Sequence, residues 1–369
     1  MKITAAVVDE KSAPFELREL ELDAPRSDEV LVRIVATGIC QTDLHVRDQD
    51  YPVPLPAVLG HEGAGVVAAV GGSVSAVAPG DHVVLSYQAC GQCRPCLKGS
   101  YCYCERAFEA NFGGARLDGT NGLLGNGTGT DVHGHFFGQS SFATYSLATE
   151  RNIVRVPRDV PLELLGPLGC GLQTGAGAVL NSLEVPAGAS LAVFGSGAVG
   201  LAAIMAAKVA GAHPIVAVDV NPKRLELALE LGASHALDPR DVDLPDALGR
   251  IARGGLDYVL ETTARPQMLK TAVDVLAPLG IAALIGGAPQ GTEAPIDMNT
   301  LLFGRTVRGI VQGDSIPQLF VPRLIEMYRA GDFPFDRLVR FYEFEEINQA
   351  VADTRSGVTV KPILRVGAA

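Results

Sequence analysis

Seven cysteines and seven histidines are spread over 369 residues, and the positions of several point to zinc. Cys90-Gly-Gln-Cys93-Arg-Pro-Cys96 is followed, after seven residues, by Cys104. Four thiolates so close along a chain can close a tetrahedral shell around a structural ion. Cys102 lies two places before Cys104 and could compete for the last position. A second set is dispersed: Cys40 in Gly38-Ile39-Cys40-Gln41-Thr42-Asp43-Leu44-His45, His61 between Gly60 and Glu62, and Cys170 between Gly169 and Gly171. Two thiolates and one imidazole are three ligands. They leave a fourth place open, as catalytic zinc requires. An odd cysteine count with four clustered does not fit a secreted disulfide framework, and in a reducing compartment such clustering points to metal.

A separate stretch carries cofactor chemistry. Gly195-Ser196-Gly197-Ala198-Val199-Gly200 follows a short apolar run over 190–194 and opens an Ala-rich helix over 201–210. The next strand, over 214–218, ends at Asp219. In that context Gly-x-Gly-x-x-Gly is the dinucleotide fingerprint. Gly195 makes the tight turn, Gly197 lets a pyrophosphate approach, and Gly200 lets helix and strand pack closely. The helix N-terminus faces the phosphates. A carboxylate at Asp219 binds ribose hydroxyls and repels a 2′-phosphate, which favours NAD over NADP.

Gly60, His61, Glu62, Gly65, Gly71 and Val74 fill every place of a signature that resembles that of the zinc-dependent medium-chain alcohol dehydrogenases. The resemblance spans essentially the whole chain and looks nearest to the aryl-alcohol, or benzyl-alcohol, members. It implies two zinc ions, a catalytic one on Cys40, His61 and Cys170, and a structural one on Cys90, Cys93, Cys96 and Cys104, with Cys104 favoured over Cys102. The catalytic ion would act as a Lewis acid that lowers the pKa of an alcohol in its open position. Asp43 would fix the tautomer of His61. Glu62 would stand beside the metal, able to become a transient ligand but not a permanent one. Thr42 and His45 would relay the alcohol proton to solvent by way of the cofactor ribose. Arg224 would pack by the adenosine ribose, Thr174 and Val199 would flank the nicotinamide, and Lys361 would meet the pyrophosphate. Gln41 stands where many members carry a cation, and so loses charge assistance to the cofactor. Tyr51, Phe136 and Phe137 would wall the substrate pocket, with Ser86 making room near the zinc.

The surrounding pattern supplies the scaffold. β-branched runs over 3–8 and 29–36 read as strands of a mixed-β unit. Pro52, Pro54 and Pro56 force an extended loop over 51–58. Residues 107–141 read as one long Gly-rich loop. From about 172, strand and helix alternate: strands over 257–261, 281–285 and 307–311, helices over 224–231 and 266–276. An amphipathic helix over 319–330 and a closing strand over 361–366 complete the chain. The expected fold is α/β, a doubly wound parallel Rossmann sheet inserted into a mixed-β, GroES-like catalytic domain with a structural zinc lobe. The expected domains are 1–171 with 312–369, and 172–311.

A net charge of −11 without a Lys/Arg cluster argues against nucleic-acid and anionic-membrane partners. The apolar run over 191–207 is interrupted by glycines and too short for a convincing membrane span. The N-terminus carries no signal-peptide pattern. These features point to a cytoplasmic protein, and the family points to a homo-oligomer, a dimer or a tetramer. The implied activity is NAD-dependent oxidation of primary, aromatic or allylic alcohols to aldehydes. A glutathione-dependent formaldehyde dehydrogenase would need cations at the pocket mouth, and none stand out. A non-catalytic dinucleotide-binding protein on the same fold should have lost a ligand or relay residue, yet all are present.

Overall fold

The computed structural model describes residues 1–124 and 132–367. Part of the stretch read as a Gly-rich loop, 125–131, lies outside them. The chain divides into two units: Met1–Cys170 with Ile316–Leu324 and Asp336–Ala369, and Gly171–Ser315 with Ile325–Phe335. Against the expected boundaries, the second crossover falls a few residues later, and Ile325–Phe335 returns to the second unit.

In the first unit the strands are β1 (Lys2–Val8), β2 (Glu16–Leu22), β3 (Glu29–Gly38), β4 (Ala57–Val58), β5 (Glu62–Val70), β6 (His82–Leu85), β7 (Leu123–Leu124), β8 (Tyr145–Thr149) and β9 (Ile153–Arg155). Three short helices join them: α1 (Gln41–Arg47), α2 (Arg94–Leu97) and α3 (Ala107–Phe112). β3 is apolar on both faces and almost wholly buried, so it sits inside its sheet, paired antiparallel with β5 and β8. A smaller sheet runs β4-β1-β2-β7. The stretch from 107 is therefore not a bare loop. Its first six residues carry no glycine and close a helical turn and a half that buries Ala110 and Asn111, and Leu123–Leu124 extends the small sheet.

The second unit holds α4 (Gly171–Gly177), β10 (Leu191–Phe194), α5 (Ala198–Ala210), β11 (Ile215–Val218), α6 (Pro222–Leu231), β12 (His235–Leu237), α7 (Leu244–Ile251), β13 (Leu256–Glu261), α8 (Pro266–Asp274), β14 (Leu276–Leu284), α9 (Met298–Leu301) and β15 (Thr306–Gly309). The strands are all parallel, in the order β12-β11-β10-β13-β14-β15. This is the doubly wound order in which a dinucleotide binds at the point of reversal. β10 and β11 are buried along their whole length, as strands covered on both faces must be. β12 escaped the sequence reading because three residues of strand leave no periodic signal, and the amphipathic, Asp243-capped α7 was missed as well.

The chain then runs through α10 (Pro317–Arg329), β16 (Val339–Glu343), α11 (Ile347–Arg355) and β17 (Lys361–Arg365). β17 pairs antiparallel with β3 and parallel with β16, so the first unit's larger sheet runs β16-β17-β3-β5-β6-β9. No helix among the described residues is long and apolar enough to cross a membrane.

Candidate active site

Cys40 ends the loop after β3 and caps α1, His61 directly precedes β5, and Cys170 closes the first unit's main segment. Ligand atoms of Cys40, His61, Glu62 and Cys170 all lie within 4.8 Å of one another. Asp43 organises the cluster. One carboxylate oxygen accepts from the Cys40 backbone N–H at 2.8 Å. The other accepts from His61 Nδ1 at 2.9 Å and from the Gly60 N–H at 3.1 Å. With Nδ1 so occupied, His61 Nε2 is left buried without a hydrogen-bond partner. An orphaned imidazole nitrogen beside two buried thiols is what a metal ligand set looks like. Burial pushes the His61 imidazolium pKa down, but the charge and hydrogen bond of Asp43 prevail and raise it to about 10. A hydrogen bond from Cys170 draws the Cys40 thiol well below its usual range, against the opposing effect of burial. That contact and burial push the Cys170 thiol well above its own. Loading a metal must therefore displace protons from this cluster, which couples metal affinity to pH.

Glu62 and Lys361 stand next to the cluster. Lys361 was expected on a cofactor pyrophosphate, and its place is different. Only 2 % exposed, it donates to both carboxylate oxygens of Glu62 at 2.8 and 2.9 Å and to the Ile39 carbonyl at 3.1 Å. Its three protons are all used, because β17 pairs with β3 and carries the lysine into the core at that point. Ser86 also departs from the expected role. It is fully buried, and its hydroxyl donates to the Gly169 carbonyl at 2.6 Å, so it holds the chain at Cys170 instead of lining open space.

Phe136 and Phe137 are both buried, and both rings lie on His61. Phe137 stacks on the imidazole at 4.4 Å between centroids and Phe136 meets it edge-on at 5.4 Å. Phe112 of α3 touches both at 5.8 and 5.2 Å and meets Tyr51 at 6.1 Å. The half-buried Phe112 was not foreseen, although its helix follows the fourth clustered cysteine directly. Thr42 Oγ1 lies 3.9 Å from the Cys40 sulfur. His45 Nδ1 pairs with Asp50 at 2.9 Å, and its ring tilts against Tyr51. Gln139, also unforeseen, is buried and accepts from the Gly63 N–H while donating to the His61 and Ser86 carbonyls. It ties its own stretch to the segment that carries His61 and to the one that carries Ser86.

Cys90, Cys93, Cys96 and Cys104 form the second cluster, again with sulfurs within 4.8 Å of one another. Backbone N–H groups of Cys90 and Arg106 point at the Cys104 sulfur, and that of Glu105 at Cys93. Such N–H···S contacts suit thiolates, so the residues fit a closed tetrahedral metal site. Cys102 packs in the neighbouring apolar core instead.

In the second unit the three glycines have three different surroundings. Gly195 has φ +96°. A Cβ on Gly200 would lie 1.8 Å from the Gly195 carbonyl, so only glycine lets α5 sit this close to β10. A Cβ on Gly197 would meet nothing within 4 Å, so the approach to the N-terminus of α5 is open. Asp219 directly follows β11 and accepts from the backbone N–H groups of Ser196 and Asn221 at 2.6 and 2.8 Å. Arg224 lies half-buried in the first turn of α6 with its Nε lacking a partner. Thr174 on α4 and Val199 on α5 are half-buried, on helices held together where Gly175 meets the Val199 carbonyl. These residues fit a dinucleotide.

Residues 26–158 match the alcohol dehydrogenase GroES-like domain, and residues 198–328 match the zinc-binding dehydrogenase domain. A geraniol dehydrogenase of Castellaniella defragrans is 47% identical over 98% of this chain and 96% of its own length. Benzyl alcohol dehydrogenase of Acinetobacter calcoaceticus superposes with a TM-score of 0.96 at 51% identity, covering 100% of both chains. An alcohol dehydrogenase zinc-binding domain protein of Burkholderia ambifaria superposes at 0.97 with 57% identity, over 100% of this chain and 99% of that one.

Proposed function

The chain belongs to the zinc-binding alcohol dehydrogenase family, and on that premise we propose that it oxidises primary benzylic or allylic alcohols to aldehydes with NAD. The observation that carries the reading is the buried imidazole of His61, its Nε2 unpartnered beside two thiols and its ring covered by Phe136 and Phe137. Cys40, His61 and Cys170 would hold the catalytic zinc, and Cys90, Cys93, Cys96 and Cys104 the structural one. When bound, the catalytic ion supplies Lewis acidity to an alcohol oxygen. The chain's own residues do the rest. Asp43 fixes the His61 tautomer. The aromatic group of Phe136, Phe137, Phe112 and Tyr51 suits a flat or unsaturated substrate, with ring contacts worth about 0.5–1.5 kcal/mol beyond area burial. Thr42 would accept the alcohol proton while giving up its own, which would pass by way of the cofactor ribose to His45, held by Asp50, and on to water. Asp219 selects NAD. The similarity to enzymes named for geraniol and benzyl alcohol supports this substrate class.

We also propose that the active form is a dimer in the cytoplasm, joined at the β15 edge. Leu279, Met298, Leu302 and Phe303 are 65–81 % exposed and gather beside that edge, where Leu279 N–H meets the Phe303 carbonyl. Sedimentation of a monomer at assay concentration would end this part of the reading.

The direct kinetic test compares kcat/KM for benzyl alcohol, geraniol and ethanol with NAD and with NADP. The reading expects both unsaturated alcohols to exceed ethanol by about tenfold or more, since ethanol forfeits the burial term of roughly 25 cal/mol per Å². Asp219→Ala is expected to lower efficiency with NAD and raise it with NADP. Ethanol as the better substrate, activity only with added glutathione, or native use of NADP equal to NAD would each contradict it. Phe112→Ala is the milder aromatic probe, because truncating the fully buried Phe136 costs about 3–5 kcal/mol of stability.

A further inference from the structure

Four groups, not three, stand within ligand distance of one another at the dispersed cluster: Cys40, His61, Cys170 and Glu62. A carboxylate is a good zinc ligand, and a fourth protein ligand closes a site that catalysis needs open. The chain therefore has to restrain Glu62, and the restraint is visible. Glu62 has no exposed surface, and its carboxylate fills the space left by the missing side chain of Gly38, where a Cβ would lie 2.1 Å from Oε2. Both carboxylate oxygens accept from Lys361 Nζ, which also holds the carbonyl of Ile39, the residue before Cys40.

We propose that Lys361 is a positioning residue that keeps the fourth place of the Cys40–His61–Cys170 set open by holding both oxygens of Glu62 away from it. The proposal rests on the preceding reading that this set binds zinc. Electrostatics favour the arrangement from both sides. Lys361 is buried, and leaving it unpaired would strand an ammonium in the core, so it resists release of Glu62. The carboxylate in turn shares its neighbourhood with two thiols that become anions on loading. Without the ammonium, the metal itself is the nearest cation for Glu62. Coordination by one of its oxygens then makes one new bond and breaks only the bond to whatever small ligand held the fourth place. The lysine arrives on β17, 299 residues from Glu62 in sequence, so the last strand of the fold sets the coordination number of a site built from the first half of the chain.

The test uses the intact protein with cobalt(II) exchanged for zinc at this set, titrated with imidazole as a neutral ligand for the open place. In the native protein imidazole is expected to shift the cobalt d–d bands. Lys361→Met is expected to show altered bands before any addition and imidazole binding weakened by about 10–100-fold, the range over which outer partners alter metal sites. Lys361→Met combined with Glu62→Gln is expected to restore imidazole binding, and Lys361→Arg to keep it. If Lys361→Met does not fold, Lys361→Gln carries the same comparison. Native-like imidazole binding in the lysine variant with cobalt in place overturns the proposal, as does failure of the double variant to restore it. A native protein that takes cobalt only on the four clustered cysteines overturns the underlying reading itself, and does so before any variant is compared.

Discussion

Asp43 does three jobs with one carboxylate: it receives the Cys40 N–H, the Gly60 N–H and the ring of His61. Its pairing with His61, 18 residues away, was legible because both stretches resemble the family's and a metal-bound histidine needs a second partner. Lys361, Gln139 and Ser86 were misread or missed for the opposite reason. Their contacts join strands far apart in sequence, and no local spacing announces them. His135 shows a cost hidden in the same region. It has φ +56° and is half-buried. Burial, helped by the charge of Arg116, lowers its pKa to about 4. The folded state therefore binds this proton less readily than the unfolded chain, whose histidine titrates near 6.5. The neutral ring's contribution to stability is fully present above about pH 6.5 and is lost as pH falls towards 4, by at most about 3 kcal/mol. His135→Asn, which tolerates the same backbone, is expected to flatten the fall in Tm between pH 6.5 and 4. Parallel Tm curves for the two proteins would remove His135 as a source of acid lability.

Among the elements, those with a strong local signature were the readable ones. The β10–α5 turn declares itself through three glycines, and each meets the surroundings its place in the motif requires. Gly200 is the strictest, since an added Cβ would run into the Gly195 carbonyl at 1.8 Å and into Val193. Backbone cannot give way as a side chain can, so α5 must lift from the sheet. Gly200→Ala is expected to cost about 1–3 kcal/mol of stability by overpacking and to weaken NADH binding in a fluorescence titration. Unchanged affinity would mean the helix position does not matter to the cofactor. Weaker signatures misled. The glycines from 113 onward obscured the helix Ala107–Phe112, whose phenylalanine reaches the imidazole-stacking rings. Pro278 and Gly280 hid the first half of β14, which enters its ladder through a register shift.

For the molecule as a whole, the doubly wound order and the mixed-β frame followed from alternating strands, helices and turn glycines, all local signals that add up along the chain. The return of a closing strand to the first unit was legible as well; what sequence could not supply was its partner, the pairing of β17 with β3 that delivers Lys361 to a cluster built from residues 40–170. The two candidate metal-ligand clusters sit in one unit but draw on different parts of it, one on a single short segment and the other on three separated ones. They should therefore be separable. The most direct measurement is zinc per chain in the native protein and in Cys40→Ala, taken alongside alcohol-dependent NADH formation. The account predicts about two zinc ions in the native protein, and about one in the variant, which keeps its fold and its four-cysteine ion but loses activity. One zinc in the native protein, or a Cys40→Ala variant that still turns over alcohol, would contradict it.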